Sequence, residues 1–230
     1  MGTLPPPGPE VRVRGDAIAY VLPTAIFLLL TWVGAQLPGW YPATYALKTV
    51  LVAGALWLFR RSYSPISGRH LGLGAAVGIG SALLWIGSAF LMRSLEGESW
   101  HRAAPFDPFA AFHSPLELAA FLVVRAVGAV AVVPFMEELF WRDFLWRAIA
   151  SPGDFRRVPV GAPDWTALVF VSLSFAVSHS LWPIALAWGL LIAALLWGTR
   201  SLGACIAAHA ATNAVLAGWV LLTRDWSLWS

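Results

Sequence analysis

Seven mainly apolar runs, near residues 17–36, 44–60, 71–94, 116–149, 165–180, 182–199 and 201–222, fill most of this 230-residue chain. In hydrocarbon no water pairs with backbone N–H and C=O groups, so a run of this kind must close its hydrogen bonds within itself, as a helix. Crossing a hydrocarbon core takes about 20 residues. The runs therefore predict an all-α, polytopic transmembrane bundle of seven helices. The fourth run is too long for one straight crossing, so tilt, a kink at Pro134, or division into a span and an interfacial helix is expected. Division would bring the count to eight. Only 12% of residues are charged, against about 25% in soluble domains, so polar groups cannot cover the surface. Residues 1–15, rich in Pro, Gly and charge, read as an N-terminal tail. Residues 16–225 read as a single transmembrane domain without internal repeats.

The excess charge of +3 comes from loop arginines. No basic helix or stripe accompanies it, so nucleic acid is not an expected partner. Cys205 is the only cysteine and reads as a small packing residue. The first run is longer than a signal h-region and lacks an A-x-A-like cleavage site, so it is expected to stay as a span. With the N-terminus inside, nine arginines (12, 14, 60, 61, 69, 147, 156, 157 and 200) fall on inner segments and three (93, 102 and 224) on outer ones. That asymmetry predicts a cytoplasmic N-terminus. Trp32, Trp40, Trp57, Trp100, Trp165, Trp182, Trp226 and Trp229 lie near expected span ends and read as an interfacial belt. Gly74 and Gly78, four apart, predict close approach of a neighbouring helix.

Against this background, the strongly polar residues within the later runs stand out. Arg125, Glu137, Glu138, Arg142, Asp143, His179, His209 and Asn213 are buried in apolar sequence, where each charge costs roughly 2.5–3.5 kcal/mol on insertion scales. Glu138 and Arg142 are i,i+4 and share a helix face. Glu137 is rotated by about 100° and has no charged residue four positions away. Phe175 and His179 share a face in the same way, as do His209 and Asn213. Three helices thus carry polar faces that satisfy one another only by converging. A carboxylate beside an imidazole can activate water as general base, and a second imidazole with a carboxamide can donate to an oxyanion. Ser178 and Ser180 flank His179 without a nucleophile elbow, so attack by water is the expected chemistry. Arg125 reads as snorkelling or structurally paired, Asp143 as facing the membrane boundary, and His70, His101 and His113 as solvated.

Glu-Glu-x-x-x-Arg at 137–142, Phe-x-x-x-His at 175–179 and His-x-x-x-Asn at 209–213 occur in that order within residues 116–220. In this the chain resembles the CAAX protease and bacteriocin-processing family of intramembrane proteins, which includes the Ras-converting CAAX endopeptidase. The resemblance implies an all-helical bundle that cleaves a peptide or membrane-protein substrate. It implies that Glu137 activates the hydrolytic water with His179, that His209 and Asn213 form the oxyanion hole, and that Glu138 and Arg142 orient the site. Arg142 would also reach a substrate carboxyl terminus, and Phe175 would only pack.

Zinc is not favoured, because H-E-x-x-H is missing and the two histidines come from separate helices. No cofactor is expected. The rival readings are a non-enzymatic immunity or assembly partner retaining the fold, and a proton-relay transporter, against which no inverted halves are visible. One geometric difficulty stands. Counted from inner span ends, His209 lies about 12 Å deep and His179 about 21 Å. They meet only if spans tilt or boundaries shift. The expected location is a bacterial inner membrane.

Overall fold

The computed structural model describes residues 9–96 and 106–229; residues 1–8, 97–105 and 230 lie outside it, as do the side chains at 9–15, 96 and 229. The expectations for Arg12, Arg14, Trp100, His101, Arg102 and Trp229 fall there. All regular structure among the described residues is helical. Eight helices follow in order: α1 Pro9–Gln36, α2 Tyr41–Leu58, α3 Leu71–Glu96, α4 Pro108–Ala111, α5 Pro115–Ala150, α6 Trp165–Val177, α7 Trp182–Thr199 and α8 Leu202–Thr223. Helix α1 begins at Pro9, within the segment read as a tail.

Five of these, α1, α3, α5, α7 and α8, are long and apolar enough to cross a membrane. Between 22% and 44% of each span is buried within the bundle, so most of each apolar surface faces outward, toward lipid. The two remaining expected crossings fall short for different reasons. Helix α2 opens on Tyr41, Pro42, Thr44 and Tyr45 and carries Lys48, which lowers its hydropathy. Helix α6 has 13 residues and spans only about 20 Å. Helix α5 keeps to a single 36-residue run, about 54 Å long, and does not divide.

Helix α5 departs from α geometry twice. Gly128–Val132 and Leu139–Leu145 are π-helical, with Val133 N–H bonding to the Gly128 oxygen and Trp146 N–H to the Trp141 oxygen, five residues back. The first stretch leads into Pro134, whose ring clashes with an α-register carbonyl four residues earlier. Widening the turn relieves that clash, and such bulges collect at functional sites. At Pro134, where a kink was one of the alternatives for this long run, the helix widens. Glu137 and Glu138 sit between the two stretches.

Helices α3 and α8 pack tightly. A Cβ at Gly74 would lie 2.2 Å from the Ala204 oxygen, and one at Gly78 2.2 Å from the Ala208 oxygen, so only glycine permits this approach. The packing role read from the Gly74/Gly78 spacing holds. Helix α8 starts at Ser201, whose hydroxyl accepts from Ala204 N–H, a standard N-cap. Asp164 caps α6 through Ala167 N–H. Cys205 is fully buried among Trp188, Ile192 and Ala208, as a packing residue should be.

The end of α5 is tied down by a second polar cluster. Asp143, read as facing the boundary, is fully enclosed. It accepts from Tyr20 Oη at 2.9 Å and from Ser64 N–H and Oγ at 3.0 and 2.7 Å, and it pairs with Arg147 at 2.5 Å. Arg147 also donates to the Val158 carbonyl, and Arg156 pairs with Asp16. Tyr63, in the loop after α2, donates to the Ala19 carbonyl, and burial pushes its phenol up to about 12. Trp32, Trp40, Trp57, Trp165 and Trp182 are exposed as a belt requires, whereas Trp226 is buried against Phe109. Arg125 is buried and structurally engaged, donating to Tyr41 Oη and lying over the Tyr45 ring.

Candidate functional site

The site is assembled by α5, α6, α7 and α8. From α5, Glu138 is fully buried and bridges two partners. Its Oε1 lies 2.9 Å from His209 Nδ1, and its Oε2 lies 3.3 Å from Arg142 Nε. The expected Glu138–Arg142 pair is therefore present. The contact to His209 joins the first motif to the third across 71 positions of sequence. A carboxylate accepts, so the hydrogen of this bond resides on Nδ1.

Arg142 is enclosed, and its guanidinium lies over the Phe175 ring at 4.9 Å and the Trp188 ring at 5.7 Å. Burying a cation against aromatic faces partly offsets its lost hydration. The terminal nitrogens of Arg142 have no hydrogen-bond partner among the described residues. Phe175 holds the cluster together. Its ring stacks on Trp188 and lies 4.3 Å from the His179 ring and 6.5 Å from that of His209. Both imidazoles thus flank one aromatic ring, which answers the depth difficulty. Helix α6 is shorter than the sequence suggested and ends at Val177, leaving His179 in the turn that follows.

His179 is half-buried, with Nδ1 2.8 Å from the Phe175 carbonyl oxygen and 3.1 Å from Ser178 Oγ. A carbonyl only accepts, so Nδ1 carries the hydrogen there. In the neutral ring Nε2 then carries the lone pair, the tautomer a general base needs. Glu137, half-buried, takes no part in the Glu138 bridge, and its Oε2 is enclosed without a hydrogen-bond partner among the described residues. Asn213 Nδ2 donates to the Ala129 carbonyl of α5 at 2.8 Å.

Glu138, Arg142, Phe175, His179 and His209 are thus linked by direct contacts. Asn213 reaches α5 at the Ala129 carbonyl, and Glu137 touches none of the other motif side chains through a hydrogen bond among the described residues. Trp188 was not anticipated. It lies 4.7 Å from His209, and its indole N–H donates to Thr212 Oγ1 at 3.3 Å. Its position inside a span, away from either interface, is the signal that separates it from the belt tryptophans. Among the described residues no group of three or more His, Cys, Asp or Glu side chains gathers as a metal site.

No curated protein and no solved structure matches the chain. One family does. The segment that carries all three motifs, residues 119–215, matches the Rce1-like family, described as type II CAAX prenyl endopeptidase Rce1-like, in agreement with the resemblance carried by the motifs.

Proposed function

We propose that the chain is a glutamate-dependent intramembrane endopeptidase. Glu137 and His179 Nε2 hold a water between them. Its oxygen attacks the scissile carbonyl carbon, and its proton passes to the Glu137–His179 pair. The carbonyl electrons move onto oxygen, where His209 Nε2 and Asn213 donate hydrogen bonds. When the tetrahedral intermediate collapses, the C–N bond breaks and the leaving amine takes the proton. Glu138 and Arg142 hold His209 in place from the enclosed side of the site. With Nδ1 engaged on Glu138, His209 donates from Nε2 only as an imidazolium, and the Glu138 carboxylate is placed to stabilise that form.

The observation that carries this reading is the Glu138–His209 bridge, which draws the first and third motifs together with the Phe175 ring of the second packed beside them. The substrate is a peptide or membrane-associated protein, cut next to the bilayer. The chain sits in a bacterial inner membrane with its N-terminus in the cytoplasm, as the arginine asymmetry indicates. The reading is tested by comparing membrane peptides of wild-type and Glu137→Gln cells. An uncut precursor that accumulates in the variant supports it, and identical peptide profiles contradict it.

A further inference from the structure

Pro134 has no N–H to give its own helix, and the backbone register ahead of it identifies the carbonyl that goes without. Val133 N–H bonds to the Gly128 oxygen, five residues back. In that register the donor at position 134 would serve Ala129, and a proline there cannot. A carbonyl released within a membrane helix needs a donor from a neighbour, because water is not at hand. Asn213 Nδ2, from α8, lies 2.8 Å from that same Ala129 oxygen. The widened turn is also held from its other side, since a Cβ at Gly128 would meet Thr49 Oγ1 and Tyr45 Oη of α2 within 3 Å.

We infer that Pro134 is a positioning residue of this site and acts through Asn213. The proline releases the Ala129 carbonyl, and that carbonyl fixes the Asn213 amide across the α5–α8 interface. The inference rests on the proposed function, in which Asn213 serves the oxyanion. A carboxamide nitrogen carries two hydrogens. One bonded to Ala129 sets which end of the amide faces α5 and locks the plane. The other is left for the oxyanion, already aimed, which is the preorganisation such donors depend on. The Ala129–Asn213 and Glu138–His209 bonds both join α5 to α8.

Asn213 is the only asparagine in the chain, so ¹⁵N-asparagine labelling reports on this one side-chain amide. In wild-type protein in detergent micelles, the two amide protons should be inequivalent, with one shifted downfield and protected from exchange. In Pro134→Ala a backbone N–H returns. Whether the turn stays π-helical or reverts to α, Ala129 gains a backbone donor, from position 134 or 133. The two Asn213 protons should then move toward free-amide shifts and lose their difference in protection. On a quenched fluorescent peptide ending in a farnesylated CAAX sequence, kcat of Pro134→Ala should fall about 100-fold with KM unchanged. The inference is overturned if the Asn213 signals are the same in Pro134→Ala, or if they change while kcat does not. It is also overturned if both wild-type protons exchange as in a free amide, a result that needs no folded variant. Wild-type protein that shows the protected proton but does not cleave this peptide leaves the tether standing and counts against the proposed function alone.

Discussion

At the residue scale, two adjacent glutamates have different environments and should behave differently. Glu138 satisfies two buried groups, Arg142 and His209. Removing one member of a buried ionic cluster leaves its partners without a counter-charge and costs about 3–5 kcal/mol. Glu138→Ala should therefore destabilise the protein by that amount in a denaturant titration. Glu137 has no such partners, and Glu137→Ala should change stability by less than about 1 kcal/mol. Equal losses in the two variants would contradict the assignment.

At the element scale, the glycine stripe on α3 decides where α8 sits. Gly78→Leu would drive a side chain into the Ala208 carbonyl and the Ala211 methyl. Overpacking of this kind costs about 1–3 kcal/mol, and it should displace His209 and Asn213 and lower cleavage. Gly80→Leu, where nothing lies within 4 Å, should stay within about 0.5 kcal/mol of wild type. Thermal unfolding of the two variants side by side measures the contrast, and equal shifts would show that the α3–α8 seam does not position α8. The stripe was legible because small residues four apart have one steric meaning. The π-helical turns of α5 were not. Pro134 announces a break, but the choice between a kink and a widened turn depends on which neighbour donates to the freed carbonyl, and Asn213 is 84 positions from Ala129. The end of α6 was misplaced for a similar reason. Its apolar run continues past Val177, and only the backbone turn at Ser178 separates His179 from the helix.

For the whole molecule, local spacing revealed which residues share a face, and the need to bury charge revealed that those faces meet. Spacing could not reveal which carboxylate meets which imidazole. Glu138, assigned to Arg142 alone, also takes His209. Asp143, assigned to the boundary, closes a latch with Tyr20, Ser64 and Arg147 whose members come from separate helices and a loop. Lipid-facing and core positions are equally apolar in such a chain, so composition does not separate them, and Trp188 and Trp226 were hidden among belt tryptophans for that reason. The proposed hydrolysis uses a carboxylate and an imidazole to activate water, so incubation with EDTA should leave cleavage unchanged; a loss restored by zinc would reassign Glu137 and His179 as ligands. The most direct measurement is the kcat of purified wild-type and Glu137→Gln protein, reconstituted in liposomes, on one farnesylated CAAX peptide. The expected result is a loss of about 10²–10⁴-fold in the variant, the range for a general base, with its thermal midpoint retained. Cleavage by Glu137→Gln at the wild-type rate would contradict the account.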